Sequence, residues 1–259
     1  MSKFELENKV ALVTGASSGI GKACAYAFAH EKSKLIISSR SKNKIDEIAA
    51  DIRAKFGVDV YTLKLDVTDR ELIKNTISDL PEEWKRIDVL VNNAGLGRGT
   101  NKLYEDDING WEEMIDTNVK GLLYVTRAIV PGMVERKTGH VINIGSIAGH
   151  EAYPGGAVYC ASKHAVTAIT RSLRMDVLDK GIRVSTVDPG MVETNFSVVR
   201  FYGDKEKAKN AYKGLTPLCG DDIAEAVVFC ATRPPHANIN EIIIMPSVQA
   251  NALINYRKQ

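Results

Sequence analysis

The sequence carries almost no net charge, and this limits the partners it can have. Lys and Arg together number 34 and Asp and Glu 32, so the formal charge at pH 7 is only +2. Domains that bind nucleic acid or an anionic membrane usually carry a basic excess that attracts phosphate groups. We therefore expect neither nucleic acid nor a membrane among the partners.

Cysteines are few, and their spacing fits no metal site. Cys24, Cys160, Cys219 and Cys230 form no C-x-x-C pair, and no cluster of Cys and His has the spacing of a zinc site. Reduced, unpaired thiols are typical of the cytoplasm. We expect four free thiols and no bound metal.

Long hydrophobic runs are absent as well. No apolar stretch approaches the 18 residues that a membrane-spanning helix needs. The N-terminal MSKFELENKV lacks the apolar core of a signal peptide, and the C-terminal NYRKQ matches no lipidation or peroxisomal signal. Hydrophobic residues make up 44% and charged residues 25% of the 259 positions, which is the usage of a globular domain rather than of a disordered chain. The sequence thus predicts a globular, cytoplasmic protein.

Short apolar runs alternate with longer amphipathic stretches along the whole chain. The short runs are rich in Val and Ile, as in strands of a buried parallel sheet, and cover residues 10–14, 35–39, 60–65, 89–92, 140–144, 183–187 and 241–245. The predicted helices cover residues 20–30, 43–55, 69–80, 111–130, 159–178 and 221–232. This alternation predicts βαβ units in a doubly wound, Rossmann-like α/β sheet. Because no linker or repeat divides the chain, we expect one domain over residues 1–259.

One stretch interrupts the alternation. Residues 191–218 show no strand pattern and only a weak helical one. A connection of this length in a compact domain is usually a lid or a binding loop. We expect a substrate loop here, and the alternative is an inert insertion.

A glycine-rich turn follows the first predicted strand. The segment TGASSGIG, residues 14–21, places Gly15, Gly19 and Gly21 where the strand changes to a helix. Glycine lets the backbone approach a pyrophosphate, and the helix N-terminus offers free N–H groups. The turn therefore indicates a dinucleotide site, and the alternative is a purely structural turn.

The end of the second predicted strand favours NADP over NAD. An NAD site usually has an acidic residue here for the ribose 2′-hydroxyl, whereas this sequence has Ser38, Ser39 and Arg40. Ser39 can donate a hydrogen bond and Arg40 can pair with a 2′-phosphate. The alternative for Arg40 is a solvated surface charge.

Two further strand ends carry candidates for the adenosine half of the cofactor. Asp66 follows the third strand and can accept a bond from the adenine amino group, unless it caps the next helix. The fourth strand ends in NNAG, which comprises Asn92, Asn93, Ala94 and Gly95. Small residues at a strand end allow close contact with adenine and ribose, although NNAG alone is also compatible with a simple turn.

Tyr159 and Lys163 form a candidate acid/base pair. They lie four residues apart at the start of a predicted helix, so their side chains share one face. The usual pKa of Tyr, about 10, is too high for a base near neutral pH. A neighbouring ammonium stabilises the phenolate and lowers that pKa.

Two polar residues can complete this chemistry. Ser146 lies in the turn GSIAG after the fifth strand, where its hydroxyl can donate to a carbonyl or alkoxide oxygen. Asn118 lies within a predicted helix, where Asn is unfavourable, and its amide can hold a water next to Lys163 as part of a proton relay. The alternative for Asn118 is a polar residue that merely bends the helix.

Taken together, these motifs resemble the short-chain dehydrogenase/reductase family in their order along nearly the whole chain. The matching elements are TGASSGIG, Asp66, NNAG, Asn118, Ser146, YCASK (residues 159–163), Pro189-Gly190 and Thr194. The resemblance implies a parallel sheet of about seven strands, with Tyr159 as acid/base and Lys163 holding the nicotinamide ribose. It also implies that Ser146 orients the substrate and that Asn118 completes the relay.

The expected cofactor is NADP, and the expected contacts combine the motifs above with the nicotinamide contacts that the family implies. The predicted cofactor residues are Gly15, Ser17, Ser18, Gly19, Ile20, Gly21, Ser39, Arg40, Asp66, Val67, Asn92, Asn93, Ala94, Gly95, Tyr159, Lys163, Pro189, Gly190, Val192 and Thr194.

The second half of the chain is similar to one branch of the family. The segments GSIAGHEAYPGGAVYCASK, VETNFSVVRFYGD and NEIIIMPSVQA resemble the NADP-dependent serine and 3-hydroxy acid dehydrogenases, which include L-allo-threonine dehydrogenases. This resemblance implies oxidation of the 3-hydroxyl group of small acids by a homotetramer. A broader NADPH-dependent carbonyl or 3-oxoacyl reductase and a non-catalytic NADP-binding regulator remain as alternatives.

Arg200, in FSVVRFYGD, is the candidate substrate residue. A buried carboxylate needs a cation or several donors, and an Arg fork can bind it in a bidentate manner. The alternative is that Arg200 only fixes the loop through an ion pair with Asp204 or Glu206.

Overall fold

Seven strands account for the apolar runs of the sequence. The computed structural model describes residues 5–258. The strands are β1 (Val10–Thr14), β2 (Lys34–Ser39), β3 (Val60–Lys64), β4 (Ile87–Asn92), β5 (Gly139–Ile144), β6 (Ile182–Pro189) and β7 (Glu241–Ile244). They pair in parallel in the order β3-β2-β1-β4-β5-β6-β7, which confirms the predicted Rossmann-like sheet and its strand number.

Ten helices connect these strands within the described residues and cover both faces of the sheet. They are α1 (Gly19–His30), α2 (Lys42–Phe56), α3 (Arg70–Ser78), α4 (Glu82–Lys85), α5 (Ile108–Ile115), α6 (Leu122–Arg136), α7 (Ala157–Asp176), α8 (Phe196–Arg200), α9 (Lys205–Asn210) and α10 (Gly220–Ala231). A π-helical segment, Asp116–Gly121, joins α5 to α6. The buried residues of α1, α2 and α10 pack on one face of the sheet, and those of α3, α4 and α6 on the other.

The strand order creates a crevice at the centre of the sheet. From β1 the chain proceeds outward to β2 and β3, and then crosses back to β4 on the other side of β1. The connections that follow β1 and β4 therefore leave the sheet in opposite directions, which opens a crevice beyond their carboxyl ends. Ligands of doubly wound sheets bind at this point.

Helix α6 is longer than predicted. The sequence predicted an end at residue 130, yet α6 continues to Arg136 with Pro131 inside it. Met133, which lies beyond Pro131, is fully buried in the core. Burial of such a side chain contributes about 1.5–3 kcal/mol, enough to offset the hydrogen bond that proline removes.

The irregular segment at residues 191–218 contains two short helices, α8 and α9, that the sequence did not predict. Its two ends are joined by a parallel bridge between Val192 and Leu218 and by a hydrogen bond of 2.8 Å from the Glu193 N–H to the Leu218 carbonyl. The segment is thus a long loop after β6 whose two ends lie next to each other. We call residues 191–218 the lid.

Two further expectations can be compared with the structure. All four cysteines are free. Within residues 5–258, no helix combines the length and the apolar character needed to cross a bilayer.

Candidate active site

A cavity of about 610 Å³ opens at the carboxyl edge of the sheet, between the glycine-rich turn and the lid. It brings together most of the residues that the sequence indicated. Those that line it are Gly15, Ser17, Ser18, Gly19, Ile20, Ser39, Arg40, Asp66, Val67, Asn93, Ala94, Gly95, Ser146, Tyr159, Lys163, Pro189, Gly190, Val192, Thr194 and Arg200. The cavity therefore joins the predicted cofactor residues, the predicted catalytic residues and one face of the lid.

The glycine-rich turn has the open backbone that a phosphate group requires. Gly15 and Gly19 have φ values of +66° and +53°, a left-handed conformation that glycine adopts without strain. A Cβ atom on Gly15 would lie 2.9 Å from the Cα of Ala94, so a side chain there would collide with the next strand end. The turn leads directly into α1, whose first N–H groups have no helical partner.

The cavity is not lined by three of the predicted residues, which are Gly21, Asn92 and Asn118. Gly21 contributes close packing instead, since a Cβ atom there would lie 2.3 Å from Nδ2 of Asn93. Asn92 points into the core, where its Nδ2 donates to Thr126 at 3.0 Å and to Asn143 at 2.9 Å. The expected contact of Asn92 with the cofactor therefore needs correction, because alternation along β4 directs its side chain away from the crevice.

Asn118 also differs from the expectation. Its Oδ1 accepts from the Leu96 N–H at 2.8 Å, and its Nδ2 donates to the Leu96 carbonyl at 2.8 Å and to Ser162 at 3.0 Å. Both amide hydrogens are thus used, so Nδ2 has no hydrogen left to donate to a relay water. Asn118 instead fixes the chain after β4 against α7, and its π-helical segment is a type of irregularity frequent at functional sites.

The end of β2 presents a positive charge to the cavity. Arg40 is exposed and its side chain has no hydrogen bond or ion pair within residues 5–258. The Ser39 hydroxyl is buried and exchanges hydrogen bonds with the backbone of Ser41. Lys44, in the first turn of α2, also lines the cavity and was missed by the sequence interpretation. The run SRSKNK, with three basic residues directly after a strand, was the signal for it.

Asp66 is not a helix cap. Its Oδ1 accepts from the N–H of Thr68 at 3.0 Å and from the Thr68 hydroxyl at 2.8 Å. Helix α3 is capped by Asp69 instead, whose carboxylate accepts from the N–H of Leu72. Asp66 thus closes a tight turn at the wall of the cavity, where its second oxygen has no partner among the described residues.

Tyr159, Lys163 and Ser146 meet at the inner end of the cavity. Tyr159 and Lys163 lie in the first two turns of α7, and Ser146 lies in the turn after β5. All three are buried. Lys163 Nζ donates to the Ile144 carbonyl at 2.9 Å, which fixes the ammonium at the end of β5. Gly95 lies opposite, and a Cβ atom on it would be 3.8 Å from Nζ.

Burial dominates the electrostatics of the pair. Burial raises the pKa of Tyr159 well above its usual range; the neighbouring Tyr153 adds to this rise, and a hydrogen bond with Ser146 opposes it. Burial lowers the pKa of Lys163 to about 8, while the charge of Asp188 acts in the opposite direction. The sequence led us to expect a lowered tyrosine pKa, but the pKa of Tyr159 is raised because desolvation is its largest cause.

Arg200 projects from α8 toward the same end of the cavity. Its guanidinium carbon lies 5.4 Å from the centre of the Tyr159 ring. Its Nε donates to the Gly99 carbonyl at 3.1 Å and its Nη1 to the Tyr153 hydroxyl at 3.2 Å. The alternative ion pair with Asp204 or Glu206 does not form among the described residues. Arg200 both holds the lid on the chain after β4 and presents its remaining donors to the cavity.

Two aromatic residues beside Arg200, one in the lid and one before α7, were missed by the sequence interpretation. The Tyr153 hydroxyl contacts Arg200, and Phe196 lies with its ring centre 5.6 Å from that of Tyr159. A Cβ atom on Gly97 would lie 2.8 Å from Phe196, so the absence of a side chain at Gly97 allows the lid to close over Tyr159. Phe196 lies within the segment NFSVVR, and the apolar residues of this segment before Arg200 were the available signal.

The C-terminal tail closes the last side of the cavity. Gln249 Oε1 accepts from the Met191 N–H at 2.8 Å, at the start of the lid. Arg257 donates to the carbonyls of Ala211 and Lys213, near the lid's end. Gln249 and Arg257 also line the cavity. No periodic pattern in the tail indicated this position.

Comparison with known proteins identifies the family. Residues 9–202 match the family model described as short chain dehydrogenase. The chain is 47% identical over 255 residues, 98% of each sequence, to the NADP-dependent 3-hydroxy acid dehydrogenase of Schizosaccharomyces pombe. It is 41% identical over 242 residues to sulfoacetaldehyde reductase 2 of Chromohalobacter salexigens, which covers 93% of this chain and 95% of that one.

A solved structure agrees with this result. The closed form of serine dehydrogenase complexed with NADP+ superimposes with a TM-score of 0.90 at 42% identity, over 96% of this chain and all of that chain. The protein belongs to the short-chain dehydrogenase family, as its motifs indicated.

Proposed function

We propose that this protein transfers a hydride between NADP and the 3-hydroxyl carbon of small 3-hydroxy acids. The observation that carries the proposal is the meeting of Tyr159, Ser146 and Lys163 with the cation of Arg200 at one end of a single cavity. The first three supply an acid/base and a hydrogen-bond donor for a reacting oxygen. Arg200 supplies a partner for a carboxylate on the same small molecule.

The residues of the outer cavity fit a dinucleotide with a 2′-phosphate. The turn at Gly15 and Gly19 lines the cavity with glycine backbone, which a pyrophosphate can approach closely. Arg40 and Lys44 offer two cations beside the end of β2, where an NAD site would have a carboxylate. The S. pombe relative and the neighbouring solved structure are both named with NADP, which supports this choice.

The chain's own residues manage the proton and the developing charge. When bound, NADP would supply the hydride acceptor for alcohol oxidation, and NADPH would supply the hydride donor for carbonyl reduction. In the oxidation direction Tyr159 takes the hydroxyl proton of the substrate as the C–O bond becomes a carbonyl. Ser146 donates a hydrogen bond to the same oxygen, and the Lys163 ammonium favours the phenolate form of Tyr159.

The names of the relatives support an anionic substrate. A 3-hydroxy acid, serine and sulfoacetaldehyde share a short carbon skeleton, a hydroxyl or carbonyl group and an acidic group. In this chain the lid closes over the reacting end with Phe196 and Arg200, so the acidic group needs the guanidinium to leave water. We place the carboxylate at Arg200 and the 3-hydroxyl between Ser146 and Tyr159.

Two alternative functions remain. A broader NADPH-dependent carbonyl or 3-oxoacyl reductase would use the same three catalytic residues but would not need the cation in the lid. A non-catalytic NADP-binding regulator would not need the buried pair of Tyr159 and Lys163. Formation of NADPH from NADP with serine, allo-threonine, 3-hydroxyisobutyrate and 3-hydroxypropionate separates these functions. No NADPH with any hydroxy acid, together with fast reduction of neutral ketones, would replace the proposed function with the first alternative.

We also place the protein in the cytoplasm as a homotetramer. The four free thiols support a reducing compartment. Large apolar side chains are exposed on α10, β7 and the C-terminal tail, namely Phe229, Ile243, Leu253, Ile254 and Tyr256. Exposed large apolar side chains such as these support an interface between copies of the chain. Sedimentation velocity measures the assembly, and a monomer would contradict it.

A further inference from the structure

A buried carboxylate lies behind the catalytic turn and has no part in the mechanism described so far. Asp188, near the end of β6, is fully buried. Its Oδ2 accepts from the Thr186 hydroxyl at 3.0 Å and lies 3.0 Å from Nε2 of His150, whereas its Oδ1 has no hydrogen-bond partner within residues 5–258. A buried carboxylate with one unpaired oxygen is costly, so a nearby positive charge or a functional role must account for it.

Asp188 contacts the turn that carries Ser146 at both of its ends. The turn begins at Gly145, where a Cβ atom would lie only 1.8 Å from Oδ1 of Asp188. It ends at His150, which binds Oδ2. Only a residue without a side chain can occupy position 145 while Asp188 remains in place. The carboxylate is therefore packed directly under the backbone that holds Ser146.

The same carboxylate lies close to Lys163. The ammonium of Lys163 donates to the carbonyl of Ile144, the residue immediately before Gly145. The ammonium and the carboxylate thus approach the backbone at adjacent residues, within the buried interior of the site. The charge of Asp188 raises the pKa of Lys163, against the lowering that burial causes.

A chain of polar groups connects Asp188 with the protein surface. His150 is 17% exposed, with Nε2 toward Asp188 and Nδ1 3.6 Å from Oε1 of Glu241 on β7. Glu241 in turn pairs with Arg171 of α7 at 3.3 Å. Each imidazole nitrogen faces a different carboxylate, so the three side chains form a row of polar groups and do not converge on one ion. Burial raises the pKa of Asp188, and the bond from His150 opposes that rise.

We propose that Asp188 is a positioning residue for the reaction, which acts as the buried counter-charge of Lys163, and that His150 keeps it ionised. This inference rests on the proposed function, because a charged Lys163 matters only where Tyr159 exchanges a proton. At the pH at which Tyr159 ionises, a neutral Lys163 would leave the phenolate without its cation. Asp188 extends the range of pH over which the ammonium persists. His150 donates a hydrogen bond to the carboxylate and so favours its charged form.

The test measures the protonation of Lys163 without any substrate. Competitive labelling with acetic anhydride, followed by mass spectrometry of the peptide that contains Lys163, gives the pH at which this amine becomes reactive. In Asp188→Asn the midpoint should move down by about one pH unit, because the neighbouring opposite charge is removed while the shape is kept. The pH at which kcat/KM for hydroxy acid oxidation stops rising should move in the same direction.

Matched variants separate an electrostatic role from a structural one. Asp176→Asn makes the same change in charge at the other end of α7, about 20 Å along the axis from Lys163 at 1.5 Å per residue, and should leave the midpoint unchanged. His150→Gln keeps an N–H donor for Asp188 and should retain a midpoint near that of the wild type. His150→Leu removes the donor and should lower the midpoint.

Each outcome has a definite meaning. An unchanged labelling midpoint in Asp188→Asn overturns the inference. If that variant does not fold, equal midpoints in His150→Leu and His150→Gln overturn it instead. A shifted midpoint in a protein that turns over no hydroxy acid refutes the proposed function but leaves the link between Asp188 and Lys163 established.

Discussion

Replacement of Arg200 by Met tests whether the lid binds a carboxylate. In the structure Arg200 has two functions that the variant removes together. Its Nε and Nη1 hold the lid through the Gly99 carbonyl and the Tyr153 hydroxyl, and its remaining donors face the cavity beside Tyr159. The first function affects every substrate, whereas the second affects only a substrate with an acidic group.

The size of the selective effect follows from the type of contact. A hydrogen bond to a charged group contributes about 1.5–3 kcal/mol, which corresponds to roughly 10- to 150-fold in kcat/KM. Both lid contacts of Arg200 are also charge-assisted, but their loss affects either substrate equally and cancels in the ratio of the two kcat/KM values. We expect Arg200→Met to lower the ratio of kcat/KM for acid over neutral substrate by about 10- to 150-fold, mainly through KM.

The assay compares 3-hydroxyisobutyrate with its amide, which keeps the carbon skeleton and removes the charge. Arg98→Met is the matched control. Arg98 also holds the lid, since its Nη1 donates to the Val199 carbonyl at 2.6 Å, but its Nε is paired with Glu113 and it does not line the main cavity. We expect Arg98→Met to affect acid and amide equally. Equal losses for both substrates in Arg200→Met would remove Arg200 from the substrate site and leave it as a lid contact only.

Four further predictions concern catalysis, the cofactor and stability. Tyr159→Phe should lower kcat by about 10²–10⁴-fold, toward the upper end, while NADPH fluorescence shows retained binding; activity within tenfold of the wild type would falsify the role of Tyr159. Ser39→Asp should weaken NADP by about one to two decades in affinity and improve NAD, because the new carboxylate repels the 2′-phosphate at Arg40; wild-type use of NAD as readily as NADP would contradict this. With chemistry rate-limiting, alcohol oxidation should rise with pH as more of Tyr159 ionises, and should level off above about pH 8, where Lys163, with a pKa of about 8, loses its proton as fast as Tyr159 ionises; a rate that does not change between pH 6 and 8 would count against both assignments. Burial and the neighbouring Arg183 lower the pKa of His140 well below 6.5, so the folded state keeps this residue neutral. Its contribution to the free energy of unfolding is complete above pH 6.5 and declines at lower pH by up to about 1.4 kcal/mol per pH unit, because only the unfolded chain takes up the proton. Urea unfolding at several pH values below 6.5 should show that the free energy of unfolding falls less steeply with decreasing pH in His140→Gln than in the wild type.

The local sequence was sufficient to predict the sheet, the glycine-rich turn and the shared helix face of Tyr159 and Lys163. The strand at residues 10–14 has the predicted bounds because four of its five residues are apolar, a pattern that can be read from the local sequence. Gly15 and Gly19 were identified because glycine after a strand lets the backbone turn tightly and approach a pyrophosphate, and both have positive φ in the structure. Tyr159 and Lys163 were paired by the helical repeat alone.

The tertiary structure decided what those residues face. Asn92 and Asn118 have the residue types expected at the site, yet their amides are used by Thr126 and by the backbone of Leu96, respectively. The pKa of Tyr159 rises although Lys163 is near, because burial depends on the lid, which reaches it from residues almost 40 positions away in the chain. Periodicity determines which face of a strand or helix a side chain occupies, but its hydrogen bonds and its desolvation depend on segments that only the folded chain brings together.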